Sequence, residues 1–144
     1  MSLAEHVIAV VTKDTERVAL VRRSFAQIAV ALRVVHVEEA ESAMHFSPAT
    51  AGAAAEALVP HLIVLDDWPS THSRHALKEI RADDTLADVR VVVLCSTDGE
   101  TDVAQAYAMG ANSCLTVSAD PDEFVEVMKA AGRYWLLLNR WPTW

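Results

Sequence analysis

Two adjacent carboxylates, Asp66 and Asp67, are the residues of this chain whose type and placement best suit chemistry. They follow a short apolar run, residues 62–65, in the stretch P-H-L-I-V-L-D-D-W-P. An apolar run this short, bounded by turn residues, is typical of a buried central strand in a parallel sheet. A carboxylate at the carboxyl end of such a strand lies where open α/β sheets place their ligands. Asp66 is therefore the first candidate for a reactive carboxylate, and strand alternation predicts that Asp67 faces elsewhere.

Five strand-like runs predict the sheet that would position Asp66. The chain alternates between these runs and helix-like segments, with strands predicted over residues 6–11, 32–37, 62–66, 89–95 and 112–117. This alternation indicates an α/β domain of the flavodoxin-like (βα)5 type, a doubly wound parallel five-stranded sheet with strand order 2-1-3-4-5. In that order the first and third strands are neighbours, so Thr12 and Lys13 should face Asp66.

Capping residues and apolar spacing predict the helices between these strands. The expected caps are Asp14 or Thr15 for the first helix, Ser96, Thr97 or Asp98 for the helix that runs to Met109 and stops at Gly110, and Asp120 followed by Pro121 for the last. Shorter helices are predicted over residues 38–46 and 74–82, and residues 47–58 are expected to form a loop merging into a helical turn. The predicted buried faces are Val18, Val21, Phe25 and Ile28 in the first helix, and Phe124, Val127, Met128, Ala131 and Trp135 in the last.

Composition narrows the class of protein. The 144 residues suit a single domain over 1–144, and the formal net charge of −8 argues against nucleic acid or an anionic membrane surface as a partner. No apolar run approaches the ~20 residues of a spanning helix. The amino terminus lacks the shape of a signal peptide, which predicts a cytoplasmic protein with its two cysteines reduced.

Four stretches of the chain resemble, in their order and spacing, the receiver domain of bacterial two-component response regulators. They are P-H-L-I-V-L-D, V-V-V-L-C-S-T-D-G-E-T-D-V, A-Y-A-M-G-A-N-S-C-L and D-E-F-V-E-V-M-K-A-A-G-R-Y-W-L. The likeness covers residues 6–142 and is greatest for stand-alone receivers of the cyanobacterial-phytochrome type. It implies a signalling domain of the CheY-like superfamily that works with a histidine kinase or a phosphotransfer protein.

The resemblance also implies a set of functional positions, and only one of them carries the family's usual residue. Asp66 matches the aspartate that accepts a phosphoryl group. The other positions are degenerate: Thr12 and Lys13, with Asp14 next to them, stand for the acidic pair that holds Mg²⁺; Cys95, beside Ser96, for the switch hydroxyl; Cys114 for the switch aromatic; and Val117 for the lysine. Asp66 and Asp14 are the weak candidates that remain as metal ligands.

Two functions follow from this pattern. The first is a pseudo-receiver, not an enzyme, that binds a signalling partner while Lys13 forms an ion pair with Asp66 in the place of the metal; the alternative for Lys13 is that it points into solvent. The second is a working phosphoacceptor at Asp66, which would need Mg²⁺. A flavodoxin-like enzyme or nucleotide binder is disfavoured, because the turn after the first strand has no glycine to approach a phosphate.

The cysteines and the aromatic tail leave further alternatives. Cys95 and Cys114 are expected to be core thiols of a disabled switch, with a disulfide between them as the other interpretation. The segment 133–144 forms an aromatic C-terminal extension, Y-W-L-L-L-N-R-W-P-T-W, richer in apolar residues than one buried helix face requires. It either folds back on the domain or, with the final helix, offers an apolar surface to a partner or to a second copy in a homodimer.

Overall fold

Five parallel strands form one sheet in the computed structural model, which describes residues 6–28, 31–38, 60–97 and 99–140. The strands are β1 (His6–Val11), β2 (Leu32–Val37), β3 (Leu62–Trp68), β4 (Arg90–Cys95) and β5 (Ser113–Thr116). Every neighbouring pair is parallel and the order is β2-β1-β3-β4-β5. The predicted fold class and strand order are confirmed.

Four described α-helices cover the sheet. They are α1 (Thr15–Phe25), α2 (Thr71–Ala82), α3 (Glu100–Ala108) and α4 (Pro121–Arg133), and α4 continues into a π-helical segment, Tyr134–Leu138. The helix predicted over 38–46, apart from its first residue, and the loop predicted over 47–58 lie outside the described residues. No helix in the described part of the chain has the length and apolarity to cross a bilayer.

The helix caps follow the sequence signals at two helices and depart from them at two others. Asp14 caps α1 by accepting from Glu16 N, and Asp120 caps α4 with Pro121 in its first turn, as predicted. α2 begins at residue 71, three residues before the predicted start, because Ser70 accepts from Ser73 N. The cap predicted for α3 is wrong: its N-cap is Gly99, which has no side chain to bond.

The core lies on both faces of the sheet. One face packs α1 and α4 against β1 and β3, and the predicted apolar faces of these helices are buried at Val18, Val21, Phe25, Ile28, Phe124 and Met128. The other face buries Leu77 and Ile80 of α2 and Ala106 of α3 against the strands. Parallel strands covered on both faces are almost continuously apolar, which the burial of β1, β3 and β4 illustrates.

An irregularity at the end of β3 changes the course of the chain beside Asp66. Asp67 has a φ of 62°, and the pairing with β4 shifts register between Leu65 and Trp68. The strand therefore continues to Trp68, which is buried, two residues beyond the predicted end. Asp66 is buried and Asp67 is exposed, and both residues border one cavity, so the prediction that the Asp67 side chain faces elsewhere stays a prediction.

Candidate functional site

Asp66 lies at the carboxyl end of β3, between β1 and β4, at the base of a cavity of about 440 Å³. Its carboxylate is held in the sheet by the apolar run that precedes it, and the residue is only 7% exposed. The other residues lining the cavity are Thr12, Lys13, Asp14, Arg17, Asp67, His72, Leu94, Ser96 and Val117. The structure thus brings together most of the positions that the sequence singled out.

Both oxygens of the Asp66 carboxylate are engaged by other side chains. The Thr12 hydroxyl donates to Oδ2 over 2.9 Å, and the Nε of Arg17 lies 3.3 Å from Oδ1. Thr12 is itself buried at the end of β1, and its Oγ1 accepts from the amide of Asp14 over 3.0 Å. This arrangement fixes a carboxylate beside a hydroxyl donor and a permanent cation.

The ion pair of Asp66 is made with Arg17, so the predicted pair with Lys13 is wrong. Lys13 lines the mouth of the cavity, is exposed, and makes no ion pair with Asp66. The reason is geometric: Thr12 takes the inward direction at the end of β1, which leaves Lys13 facing outward. Arg17 lies in the first turn of α1, and its guanidinium carbon is 4.4 Å from the centre of the Phe124 ring in α4.

The residues around Asp66 do not fit a magnesium ion. Mg²⁺ requires several oxygen ligands, most often including one or two carboxylates. The Asp14 carboxylate is used to cap α1, and the described residues contain no cluster of three His, Cys, Asp or Glu side chains able to hold a metal. Two cationic side chains, Lys13 and Arg17, line the same cavity and repel a divalent cation.

The switch positions named from the sequence carry small or apolar groups. Cys95 is buried and its thiol donates to the Thr97 carbonyl, over 2.9 Å. Ser96 and Val117 line the cavity, the first exposed and the second buried. No hydroxyl or lysine is placed at these positions to contact a group on Asp66 except the exposed Ser96.

Cys95 and Cys114 are both free thiols, so the disulfide interpretation is wrong for this structure. In the register of β4 and β5, Cys114 lies opposite Val93 and Cys95 lies opposite Thr116. The two cysteines are therefore offset along neighbouring strands. Burial raises the pKa of the Cys114 thiol, with smaller contributions from Cys95 and Asp102, which favours its unreactive protonated form.

Two residues important to the site were missed from the sequence. Arg17 is three positions after the cap residue Asp14, so the helix spacing after β1 could have indicated a side chain reaching back to Asp66. Trp68 is buried, and its Nε1 donates to the Asp102 carbonyl in the first turn of α3, over 2.9 Å. No local pattern signals Trp68, because its burial depends on the bulge at Asp67.

Comparisons with known proteins agree with the fold. No family model matches the chain. It is 23% identical over 137 residues to the "Probable methanogenesis regulatory protein FilR2" of Methanothrix harundinacea, covering 94% of this chain and 87% of that protein.

Solved structures give the stronger similarity. The phosphorylated cyanobacterial phytochrome response regulator RcpA is 28% identical with a TM-score of 0.81, over 97% of this chain and 100% of that one. The Mn²⁺-bound form of response regulator Rcp1 is 25% identical with a TM-score of 0.81, over 96% and 99%. A regulator in red light signalling of R. palustris, 19% identical with a TM-score of 0.78 over 96% and 99%, shares the fold.

Proposed function

We propose that this chain, a response regulator receiver domain by its fold and its structural neighbours, is a pseudo-receiver with impaired Mg²⁺-dependent phosphotransfer. It works as a cytoplasmic binding module rather than an enzyme and passes its signal by contact with a histidine kinase or a phosphotransfer protein. One observation carries the proposal: Thr12 and Arg17 engage both oxygens of Asp66 at the place where the family holds a metal.

The Arg17 cation opposes both requirements of phosphotransfer, a free carboxylate oxygen and a bound metal ion. A carboxylate attacks phosphorus through a free oxygen, and the metal neutralises charge on the phosphoryl oxygens. Arg17 occupies one oxygen of Asp66, with an attraction of roughly 4 kcal/mol at an effective dielectric constant of 20, before desolvation reduces it.

A working phosphoacceptor is the second candidate, and one observation favours it. Asp66 borders a solvent-open cavity of about 440 Å³, so a small phosphodonor has space to approach its carboxylate. The relatives RcpA and Rcp1 were solved in phosphorylated and Mn²⁺-bound forms, respectively. In this reading Lys13 and Arg17 together supply the positive charge that the metal supplies elsewhere.

Treatment with beryllofluoride or a small-molecule phosphodonor, with Mg²⁺, separates the two candidates. We expect amide NMR spectra of the wild-type protein to stay unchanged, with the phosphodonor adding no mass. Asp66→Asn, which keeps the shape but removes the reactive oxygen, serves as the matched control. A covalent adduct or a Mg²⁺-dependent spectral change that disappears in Asp66→Asn would overturn the pseudo-receiver proposal.

The exposed end of the last helix is the surface we assign to protein contact. Tyr134, Leu137 and Leu138 are 50%, 48% and 72% exposed, respectively, in the π-helical segment, so they form an apolar surface that a monomer leaves in water. The outer face of α4 is acidic near its start, at Glu123, and basic at its end, at Arg133, while Glu126 between them pairs with Lys129 over 3.6 Å.

This charge distribution suits a second copy of the chain packed antiparallel, with each acidic end against the basic end of the other. Sedimentation should then show a concentration-dependent dimer that Leu138→Glu abolishes and Tyr107→Ser, at another exposed aromatic, leaves intact. A wild-type chain that stays monomeric at high concentration would restrict this surface to other partners.

A further inference from the structure

Arg17 contacts two elements at once, and these contacts place it between the Asp66 cavity and the C-terminal helix. Its Nε lies 3.3 Å from Asp66 Oδ1 at the end of β3, and its guanidinium carbon lies 4.4 Å from the centre of the Phe124 ring in the first turn of α4. Arg17 lines the cavity, whereas Phe124 is fully buried. The guanidinium therefore covers the ring on the side that faces the cavity.

Phe124 is joined to the exposed apolar surface by packed side chains. It belongs to the same buried cluster as Met128 and Leu136, which follow it along the last helix. Leu136 is 6% exposed and anchors the π-helical segment that exposes Leu137 and Leu138 to solvent. A close-packed cluster has little free volume to absorb a displacement of one of its members.

We propose that Arg17 is a positioning residue that couples the state of Asp66 to the packing of α4 and to the exposed surface at Tyr134–Leu138. The coupling rests on the proposed function, since it takes the Asp66–Arg17 pair as the resting state of the cavity. When the charge on Asp66 is removed, the partly buried guanidinium has no counter-ion and moves to solvent. Phe124 then loses the cation over its ring, and the first turn of α4 loosens.

A second arginine on α1 provides a matched control. Arg23 also joins α1 to α4, through a 2.9 Å contact between its terminal nitrogen and Asp122 Oδ1. The side chains of that pair are 54% and 85% exposed, respectively, whereas those of Arg17 and Asp66 are 20% and 9% exposed. An exposed pair contributes little to packing, so Arg23 shares the charge and the two helices but not the coupling.

Amide hydrogen exchange, read by mass spectrometry without phosphodonor or metal, tests the coupling. We expect Arg17→Gln and Asp66→Asn each to accelerate exchange across residues 124–138 by roughly three- to tenfold, the range that loss of one cation–π contact gives. Arg23→Gln should match the wild-type protein. In the Phe124→Leu background, Arg17→Gln should add no further acceleration, because the contact is already absent.

The opposite pattern would overturn the coupling while leaving the proposed function intact. That pattern is faster exchange confined to the cavity, in residues 10–17 and 62–68, with residues 124–138 unchanged in both variants. If Arg17→Gln fails to fold, Arg17→Lys gives the same test: it keeps the charge but cannot contact Asp66 and Phe124 together, so exchange over 124–138 should rise about twofold. An unchanged Arg17→Lys would also count against the coupling. Phosphodonor chemistry tests the proposed function separately.

Discussion

Two partly buried arginines at opposite ends of the sheet differ in what their guanidinium groups contact. Arg81, beyond the amino ends of β4 and β5, donates to four neutral oxygens, those of Gly110, Ala87, Val89 and the Asn112 side chain, at 2.7–2.9 Å. Arg17, at the carboxyl end, meets one carboxylate and one aromatic ring beside a cavity. Hydrogen bonds occupy four of the five N–H donors of Arg81 and hold two loops, whereas Arg17 borders an open cavity.

The largest expected loss of stability follows from replacing Arg81. Arg81→Met keeps the aliphatic stem but removes the donor to three backbone carbonyls and to Asn112 Oδ1, which keeps only the Val91 amide. Charge-assisted hydrogen bonds are the costly ones to lose. We expect the free energy of unfolding to fall by about 3 kcal/mol, measured by urea denaturation. Arg133→Met, at an exposed position, should change it by less than about 0.5 kcal/mol. Equal effects from the two variants would remove the basis of the comparison.

The next largest loss of stability is expected at Gly110, whose carbonyl accepts from Arg81. Gly110 has a φ of 105°, which an L side chain rarely adopts, and an added Cβ would lie 3.0 Å from the Nε of Arg81. We expect Gly110→Ala to lower the free energy of unfolding by about 1–3 kcal/mol. Its effect should be smaller in an Arg81→Ala background, since the Nε, Cγ and Cδ atoms that crowd the added Cβ are then absent. Additive losses would show that the strain at Gly110 is independent of Arg81.

A smaller loss of stability is expected at Asp66, beside the cavity. Asp66→Asn keeps an oxygen for the Thr12 hydroxyl and frees Arg17, which has access to solvent. The free energy of unfolding should therefore change by no more than about 1 kcal/mol in the same urea experiment. A loss as large as that of Arg81→Met would indicate that the Asp66–Arg17 pair is a structural element and not a functional one.

The smallest expected effect is a pH dependence of stability that arises from His61, at the amino end of β1 and β3. His61 Nδ1 accepts from the amide of Val7 over 3.0 Å, and burial, followed by the nearby His6, lowers the pKa of His61 below its usual 6.5. The folded protein thus favours the neutral ring. The stability that His61 contributes is present above pH 6.5 and is lost as the pH falls through the lowered pKa.

Urea denaturation at several pH values, with NMR titration of the ring, measures this loss. His61→Gln should flatten the decline in stability below pH 6.5, whereas His75→Gln, at a histidine of α2 outside the contact with Val7, should not. A His61 pKa above 6.5 would reverse the sign of the expected dependence.

Much of the fold was predictable from the sequence because apolar periodicity determines which segments are strands and which helix faces are buried. β1 and β2 have the predicted bounds, and Asp14 and Asp120 cap the predicted helices. The position of Asp66 could also be predicted, since an acid that ends a central strand must lie at the switch point of the sheet.

The contacts of Asp66 could not be predicted from the sequence in the same way. Lys13 is adjacent in sequence to the end of β1, but the direction of its side chain depends on Thr12 turning inward. Arg17 reaches Asp66 because α1 starts directly after Asp14 and because Phe124, more than a hundred residues away, supports its guanidinium. The bulge at Asp67 likewise arises from tertiary pairing with β4.

Magnesium affinity of a restored site tests the central claim, that Arg17 and the lost acids exclude the metal, most directly. The triple variant Thr12→Glu, Lys13→Asp, Arg17→Gln returns two carboxylates and removes the cation, and calorimetric titration compares it with the wild-type chain. We expect no binding by the wild-type protein and millimolar or tighter binding by the variant, with Asp66→Asn in the variant abolishing it. Magnesium binding by the wild-type chain that depends on Asp66 would contradict the claim.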